Sequence, residues 1–160
     1  MENLGKYNNR EVFYLSSKPA KDWLGELPTG NWLVLPIGDC VDSKAYIELA
    51  DQCLANNVLY VCAVGECCEI IHDIFDETVV ANKIIAGENT NSQINFENSP
   101  MTTWHNDFDE GVWFAMTTAF NDTVEINKII CIDFTENKYK QRVIELIGRI
   151  QEGWIPQDNR

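Results

Sequence analysis

Basic residues are scarce in this 160-residue sequence, which has 12 Lys and Arg against 25 Asp and Glu and a formal net charge of −13. A negative field of that size repels phosphate backbones and anionic lipid headgroups, so nucleic-acid binding is disfavoured. The same field suits a basic protein partner or a bound cation, and it also serves solubility alone. If the chain has a macromolecular partner, we expect that partner to be a basic protein.

Long apolar runs are absent as well. No stretch of about 18 apolar residues occurs, so we expect no membrane span. The first residues, MENLGKYNNREVFYL, lack the basic stretch followed by a long apolar stretch that marks a secretory signal. We therefore expect a cytoplasmic protein. A chain of this length is most simply one domain, spanning residues 1–160.

Cofactor motifs are missing too. Neither G-x-G-x-x-G nor G-x-x-x-x-G-K-[ST] occurs, and the segments PIGDCVDS and AVGECC hold a single glycine each. This disfavours a nicotinamide, flavin or other nucleotide cofactor, since too little backbone is free to approach a pyrophosphate. There is no CxxC and no Cys/His spacing of the zinc-ribbon type, so a structural zinc is not expected.

The six cysteines do not form a pattern typical of a disulfide framework. Cys62 and Cys131 lie in predicted buried strands, Cys53 lies on the apolar face of a predicted helix, and Cys67 and Cys68 are adjacent. Buried free cysteine behaves as a small apolar side chain, and disulfides are rare in the cytosol. We therefore expect reduced thiols.

What the sequence does contain is a regular alternation of apolar runs and helical repeats. Residues 58–64, VLYVCAV, are almost unbroken in their apolar character, Gly65 interrupts them, and an apolar repeat of helical spacing follows. A run that is apolar on both faces is typical of a strand in a parallel sheet covered by helices. Strands are predicted at 11–15, 31–37, 58–64, 101–104 and 128–134, with a helix after each of the last four.

This order predicts an α/β fold, a three-layer α/β/α sandwich with a mostly parallel sheet of the flavodoxin-like or Rossmann-like kind. The strand at 11–15 is predicted as an additional strand at the N-terminal edge of the sheet. Residues 87–100, GENTNSQINFENSP, are polar and are predicted to form a surface loop.

Ligands of open α/β sheets bind beyond the carboxyl ends of the strands, and several reactive residue types follow the predicted strands. In chain order, these residues are Asp39, Cys40, Asp42, Gly65, Glu66, Cys67, Cys68, His105, Asp107, Asp109, Glu110 and Asp133. Because topology alone selects this set, we expect any site to be drawn from it.

A divalent-cation site is one hypothesis for this edge. Asp39, Glu66, His105 and Asp107 would offer oxygen ligands and one imidazole to Mg²⁺ or Mn²⁺. The competing explanation is that the acidic residues cap helices and interact with helix dipoles.

Thiol catalysis is a second hypothesis. Cys67 lies where a strand turns into a helix, an environment that activates thiols. His105 could serve as its base, with Glu66 or Asp107 as the partner that orients the imidazole. The flanking Glu66 and Glu69 oppose thiolate formation, and the competing explanation is an ordinary structural cysteine.

The leading functional prediction is a small non-enzymatic interaction protein of the inhibitor or immunity type that binds a basic partner. Its predicted binding surface comprises Asp39, Asp42, Trp104, Asp109 and Glu110. The alternative is a hydrolase-type enzyme that uses the carboxyl-edge residues, either with a divalent metal or with Cys67 as nucleophile.

Overall fold

A mostly parallel β-sheet forms the middle layer of the protein, as a computed structural model covering residues 1–18, 22–40, 43–87 and 95–157 shows. Within those ranges the strands are β1 (Glu2–Tyr7), β2 (Arg10–Ser16), β3 (Trp32–Gly38), β4 (Tyr60–Gly65), β5 (Met101–His105) and β6 (Lys128–Asp133). Their order across the sheet is β1-β2-β6-β3-β4-β5, and every neighbouring pair is parallel except β1 and β2.

Helices cover both faces of the sheet. They are α1 (Ser43–Ala55), α2 (Cys68–Ile85), α3 (Phe108–Thr117) and α4 (Lys140–Gln151), with a short 3-10 turn at Trp23–Glu26. The buried side chains of α1 and α2 share one apolar core with the 3-10 turn, and those of α3 and α4 share the core on the opposite face. The predicted α/β three-layer sandwich is therefore confirmed.

The apolar runs predicted as buried strands are buried along their whole length. Every residue of β3 is buried, as are the first five of β4 and the last five of β6. Burial on both faces explains why these strands do not alternate apolar and polar residues. Pro36 lies within β3 even though it cannot donate a backbone hydrogen bond, and the pairing of β3 with β4 is interrupted at Leu35 and Pro36.

The predicted edge position of the first strand is wrong. β2 lies inside the sheet between β1 and β6, and β1, which pairs antiparallel with β2, forms the edge. The two strands are joined by a tight turn in which Asn8 has a φ of 51°. The sequence ENLGKY has few β-branched or aromatic residues, so its strand character comes from pairing with β2 rather than from local propensity.

The helical apolar repeats in the sequence predict that the third and fourth helices include Phe120 and Trp154, but α3 ends at Thr117 and α4 at Gln151. α2, in contrast, continues through TVVANKII to Ile85. Phe120 lies beyond α3 and is 66% exposed, and Trp154 lies beyond α4 beneath the guanidinium of Arg149. None of the helices in the described part of the chain is long and apolar enough to cross a membrane. Asp42 and residues 88–94 of the predicted 87–100 loop lie outside the described residues.

Candidate functional site

The carboxyl edge of the sheet is divided between the two faces. β3 and β4 lead to α1 and α2 on one face, and β5 and β6 lead to α3 and α4 on the other. The neighbouring strands β3 and β6 therefore send their following segments in opposite directions, which is where open α/β sheets form crevices. Those predicted site residues that the structure describes lie along this edge, but they enter several separate contacts.

Asp133, at the end of β6, organises its own loop. Its side chain is fully buried, and its carboxylate accepts hydrogen bonds from the backbone N–H groups of Thr135 and Asn137 and from the Thr135 hydroxyl. Glu136 and Asn137 adopt positive φ angles, which these bonds help to hold. Burial raises the pKa of the nearby Tyr14 phenol, and the charge of Asp133 raises it further, so the phenol stays protonated.

Cys67 is not a free thiol. It forms a disulfide with Cys40, with a Cα–Cα separation of 5.3 Å, so the prediction of reduced thiols is wrong for these two residues. In this state Cys67 cannot act as a nucleophile. The prediction is confirmed for Cys53, Cys62, Cys68 and Cys131, which are free and buried.

His105 packs on the α3 face of the sheet rather than towards Cys67. Its ring lies 4.8 Å from that of Phe114, and its Nε2 is buried without a hydrogen-bond partner among the described residues. Burial lowers the pKa of His105, an effect that the charge of Glu110 partly opposes. Cys67 is the N-cap of α2, which covers the other face. The structure therefore does not bring the imidazole and the sulfur together as a base and its nucleophile.

The acidic residues at the start of α3 have local partners. Asp107 is the N-cap and accepts a hydrogen bond of 3.0 Å from the backbone N–H of Glu110. Asp109 forms a bidentate ion pair with Arg142, at 2.8 and 2.5 Å, and lies 3.7 Å from Arg149. Asp109 is thus largely neutralised by its own chain, which makes it a poor contact for a basic partner.

The four residues of the metal hypothesis do not converge. Glu66 lies 3.4 Å from the ammonium group of Lys138, Asp107 caps α3, and the ring of His105 packs at a tilt against that of Phe114. Within the described ranges, no group of three or more His, Cys, Asp and Glu residues is placed to hold a metal ion. The metal site therefore remains a prediction, and the described residues show no point at which its ligands meet.

A different surface lies along the edge strand β5. Of its residues, the sequence predicted only Trp104 as a binding residue. Trp104 is 42% exposed, and its ring lies 4.5 Å from that of His72 on α2. The Thr102 hydroxyl donates a 2.6 Å hydrogen bond to Asp76, also on α2. These contacts make β5 and α2 one continuous surface. We call it the β5–α2 surface, comprising Asp73, Asp76, Glu77, Val80, Ile84, Met101 and Trp104.

Two open cavities shape the β5–α2 surface. One, of about 520 Å³, is lined by Met101, Phe96 and Phe120 among others, and a shallower one of about 370 Å³ runs along α2 past Ile84. Asp76 and Val80 line both. The surface therefore has an apolar floor with carboxylates at its rim.

The rim has little positive charge to balance it. α2 carries Glu69, Asp73, Asp76 and Glu77 but a single basic residue, Lys83, in its last turn. Asp73 and Asp76 lie 3.1 and 3.4 Å from the two ring nitrogens of His72. In the part of the chain that the structure describes, none of these four carboxylates forms an ion pair with Lys or Arg.

Comparison with known proteins gives a family without an assigned activity. Residues 10–150 match the family described as "Domain of unknown function (DUF7684)". The matched segment runs from the first residue of β2 almost to the end of α4, so it includes the disulfide and the β5–α2 surface. No curated protein and no solved structure matches the chain.

Proposed function

The chain belongs to the DUF7684 family, and we propose that it is a non-enzymatic interaction protein that binds a basic partner through the β5–α2 surface. The observation that carries this proposal is the combination of exposed apolar side chains with carboxylates that have no Lys or Arg partner in the described chain. The residues of the metal-site and thiol-catalysis hypotheses, in contrast, take part in separate structural contacts and do not form a common site.

The open edge of β5 supports this proposal. Among the residues that the structure describes, β5 pairs only with β4, so one row of its backbone N–H and C=O groups faces away from the described sheet. Such an edge can accept an additional strand from a partner, whose alternate side chains then face the same side as those of β5.

The apolar floor would supply the anchoring contacts. Met101 and Phe120 line the same cavity and are 61% and 66% exposed, and Trp104, beside His72 on α2, is 42% exposed. Exposed large apolar side chains that share a cavity favour an interaction surface. Aromatic residues of this kind are frequent among the few that dominate interface energies. A partner segment that alternates apolar and basic residues would match both the floor and the acidic rim.

The net charge of −13 adds a long-range component. It would increase the rate of encounter with a basic protein and make the affinity fall steeply as salt is added. An inhibitor or immunity-type protein that covers a basic surface of its target would use charge in this way.

A selection from a display library of random dodecapeptides at low ionic strength tests the proposal. We expect the enriched peptides to alternate apolar residues with Lys or Arg. The best peptide should bind about tenfold more weakly to the triple variant Asp73→Asn, Asp76→Asn, Glu77→Gln, because rim charges contribute up to about 1 kcal/mol each.

The matched control is the triple variant Asp51→Asn, Glu145→Gln, Glu152→Gln. It changes the net charge equally, but its exposed carboxylates lie on or just after α1 and α4. We expect it to lose far less affinity. Enriched peptides without basic residues, or equal losses in both variants, would contradict the proposal.

A further inference from the structure

Two glycines bring the ends of β3 and β4 unusually close. Gly65 has a φ of +94°, and a Cβ on it would lie 2.5 Å from the carbonyl oxygen of Gly38; a Cβ on Gly38 would lie 2.4 Å from Cδ1 of Ile71. No other residue type fits at either strand end without displacing backbone or core. Cys40 and Cys67 each follow one of these glycines by two residues, and their Cα separation of 5.3 Å suits a disulfide.

The two sulfur-bearing residues lie in different surroundings. Cys40 is exposed in the loop after β3, whereas Cys67 is only 3% exposed and is the N-cap of the 18-residue helix α2. An attacking thiol therefore meets Cys40 first. Burial and the flanking Glu66 and Glu69 oppose a thiolate on Cys67, although Lys138 offsets Glu66. The first-turn N–H groups of α2 and the positive end of its dipole favour the thiolate, and because Cys40 is the exposed sulfur that an attacking thiol reaches, Cys67 is the leaving group.

The other four cysteines are protected from the same chemistry. Burial raises the pKa of Cys62 and of Cys131 to about 12, and it raises the pKa of Cys53 and Cys68 as well. All four are free and buried. Thiols of this kind react slowly because the reactive species is the thiolate. Exchange chemistry is thus confined to one pair.

We propose that the Cys40–Cys67 disulfide is a thiol–disulfide exchange site whose substrates are thiols, with dithiols as the productive class. A substrate thiolate attacks Sγ of Cys40, the Cys40–Cys67 bond breaks, and its electron pair leaves on Sγ of Cys67. The second thiol of the substrate then attacks the mixed disulfide and releases Cys40. The dithiol is oxidised to a cyclic disulfide, and its two hydrogens end on the two cysteines.

Charge near the site selects among thiols. Asp39, Glu66 and Glu69 are sequence neighbours of the two cysteines, and Lys138 offsets only Glu66. An anionic thiol is repelled by this group of carboxylates. A neutral dithiol should therefore react faster than glutathione, with a difference that shrinks as salt is added.

The test uses the native protein purified without reductant. It is exposed to millimolar 2-mercaptoethanol, quenched in acid, and mapped by mass spectrometry; in parallel it is reduced with dithiothreitol or glutathione and its new thiols are counted. With 2-mercaptoethanol, we expect a transient adduct on Cys40. With dithiothreitol, we expect two new thiols, at Cys40 and Cys67, and an unchanged circular dichroism spectrum. At low salt, dithiothreitol should reduce the disulfide at least about tenfold faster than glutathione does.

Different results would overturn the proposal. They are a native protein without the disulfide, a disulfide that resists dithiothreitol until the chain is denatured, or a first adduct on Cys67. The variant Cys53→Ala is the control, since it removes a buried thiol from α1 and should leave the Cys40 adduct and both rates unchanged. None of these outcomes depends on binding at the β5–α2 surface.

Discussion

His105 illustrates how burial rather than residue type decides the role of a side chain. The sequence places it at a strand end beside acidic residues, where it could serve as a base or a metal ligand. In the fold its ring packs against Phe114, its Nε2 has no partner in the described chain, and burial lowers its pKa. A neutral imidazole is therefore part of the folded state at pH 7.

The titration of His105 should make stability depend on pH. Because the pKa of the folded state lies below the ordinary value of 6.5, the unfolded chain binds this proton more tightly. The stabilisation from the neutral ring is complete above pH 6.5 and is lost as the pH falls through 6.5 towards the lower folded pKa. Urea unfolding between pH 7.5 and 5.5 should show a stability advantage of the native protein over His105→Gln that narrows with falling pH.

An NMR titration gives the pKa of His105 directly. The chain has only two histidines, so the variant His72→Gln assigns the signals. We expect the His105 signal to titrate below pH 6.5. A midpoint at or above 6.5, or a stability advantage that does not change with pH, would contradict the description of His105 as a buried neutral ring.

At the scale of elements, Arg10 connects the first residue of β2 to the end of α3. Its Nη1 donates a 2.7 Å hydrogen bond to the carbonyl of Ala115, and its Nη2 donates to the carbonyl of Ala119. These carbonyls lie at the end of α3 and in the segment after it, where helical hydrogen bonds run out. The guanidinium thus connects the N-terminal hairpin of β1 and β2 to the C-terminal end of α3.

The variant Arg10→Lys should lower the free energy of unfolding by about 1–2 kcal/mol, because one ammonium group cannot reproduce a two-pronged contact with two carbonyls. The matched control is Arg142→Lys, which alters the more exposed bidentate pair with Asp109 and should cost less than about 1 kcal/mol. Urea denaturation measures both. Equal losses in the two variants would contradict the assignment of Arg10 as an anchor between elements.

Sequence patterns predicted the elements whose identity is local. The apolar runs that became β3, β4 and β6 are buried on both faces, and burial of that kind leaves an unbroken apolar run in the sequence. β1 was missed because its strand state depends on pairing with β2. Helix ends were overestimated at Phe120 and Trp154, since an apolar residue in the segment after a helix can match the helical spacing by chance.

The candidate sites show the same limit. Topology correctly placed Cys40 and Cys67 at one edge of the sheet, but their bond depends on the close approach of Gly38 and Gly65, which no local pattern reports. The β5–α2 surface depends on strand order, because β5 has an open edge only if no other strand lies beside it. Strand order is set by long-range packing and was not deducible from residue spacing.

At the scale of the whole molecule, carboxylates that are neutralised or buried within the chain contrast with those of α2. Asp109 and Glu66 are paired with basic side chains of the same chain, and Asp133 is buried inside its own loop. The carboxylates of α2 lack such Lys or Arg pairs among the described residues, and they border an exposed apolar floor. The net charge alone would serve solubility, whereas this arrangement favours a basic binding partner.

The most direct test of that account is NMR mapping of the ¹⁵N-labelled protein with the best basic dodecapeptide, at low salt and again at a salt concentration high enough to screen surface charge. We predict that amide shift changes cluster on β5 and the outer face of α2 and weaken strongly as salt is added. Changes that cluster elsewhere, such as on α1 or α4, or binding that is indifferent to salt would contradict it.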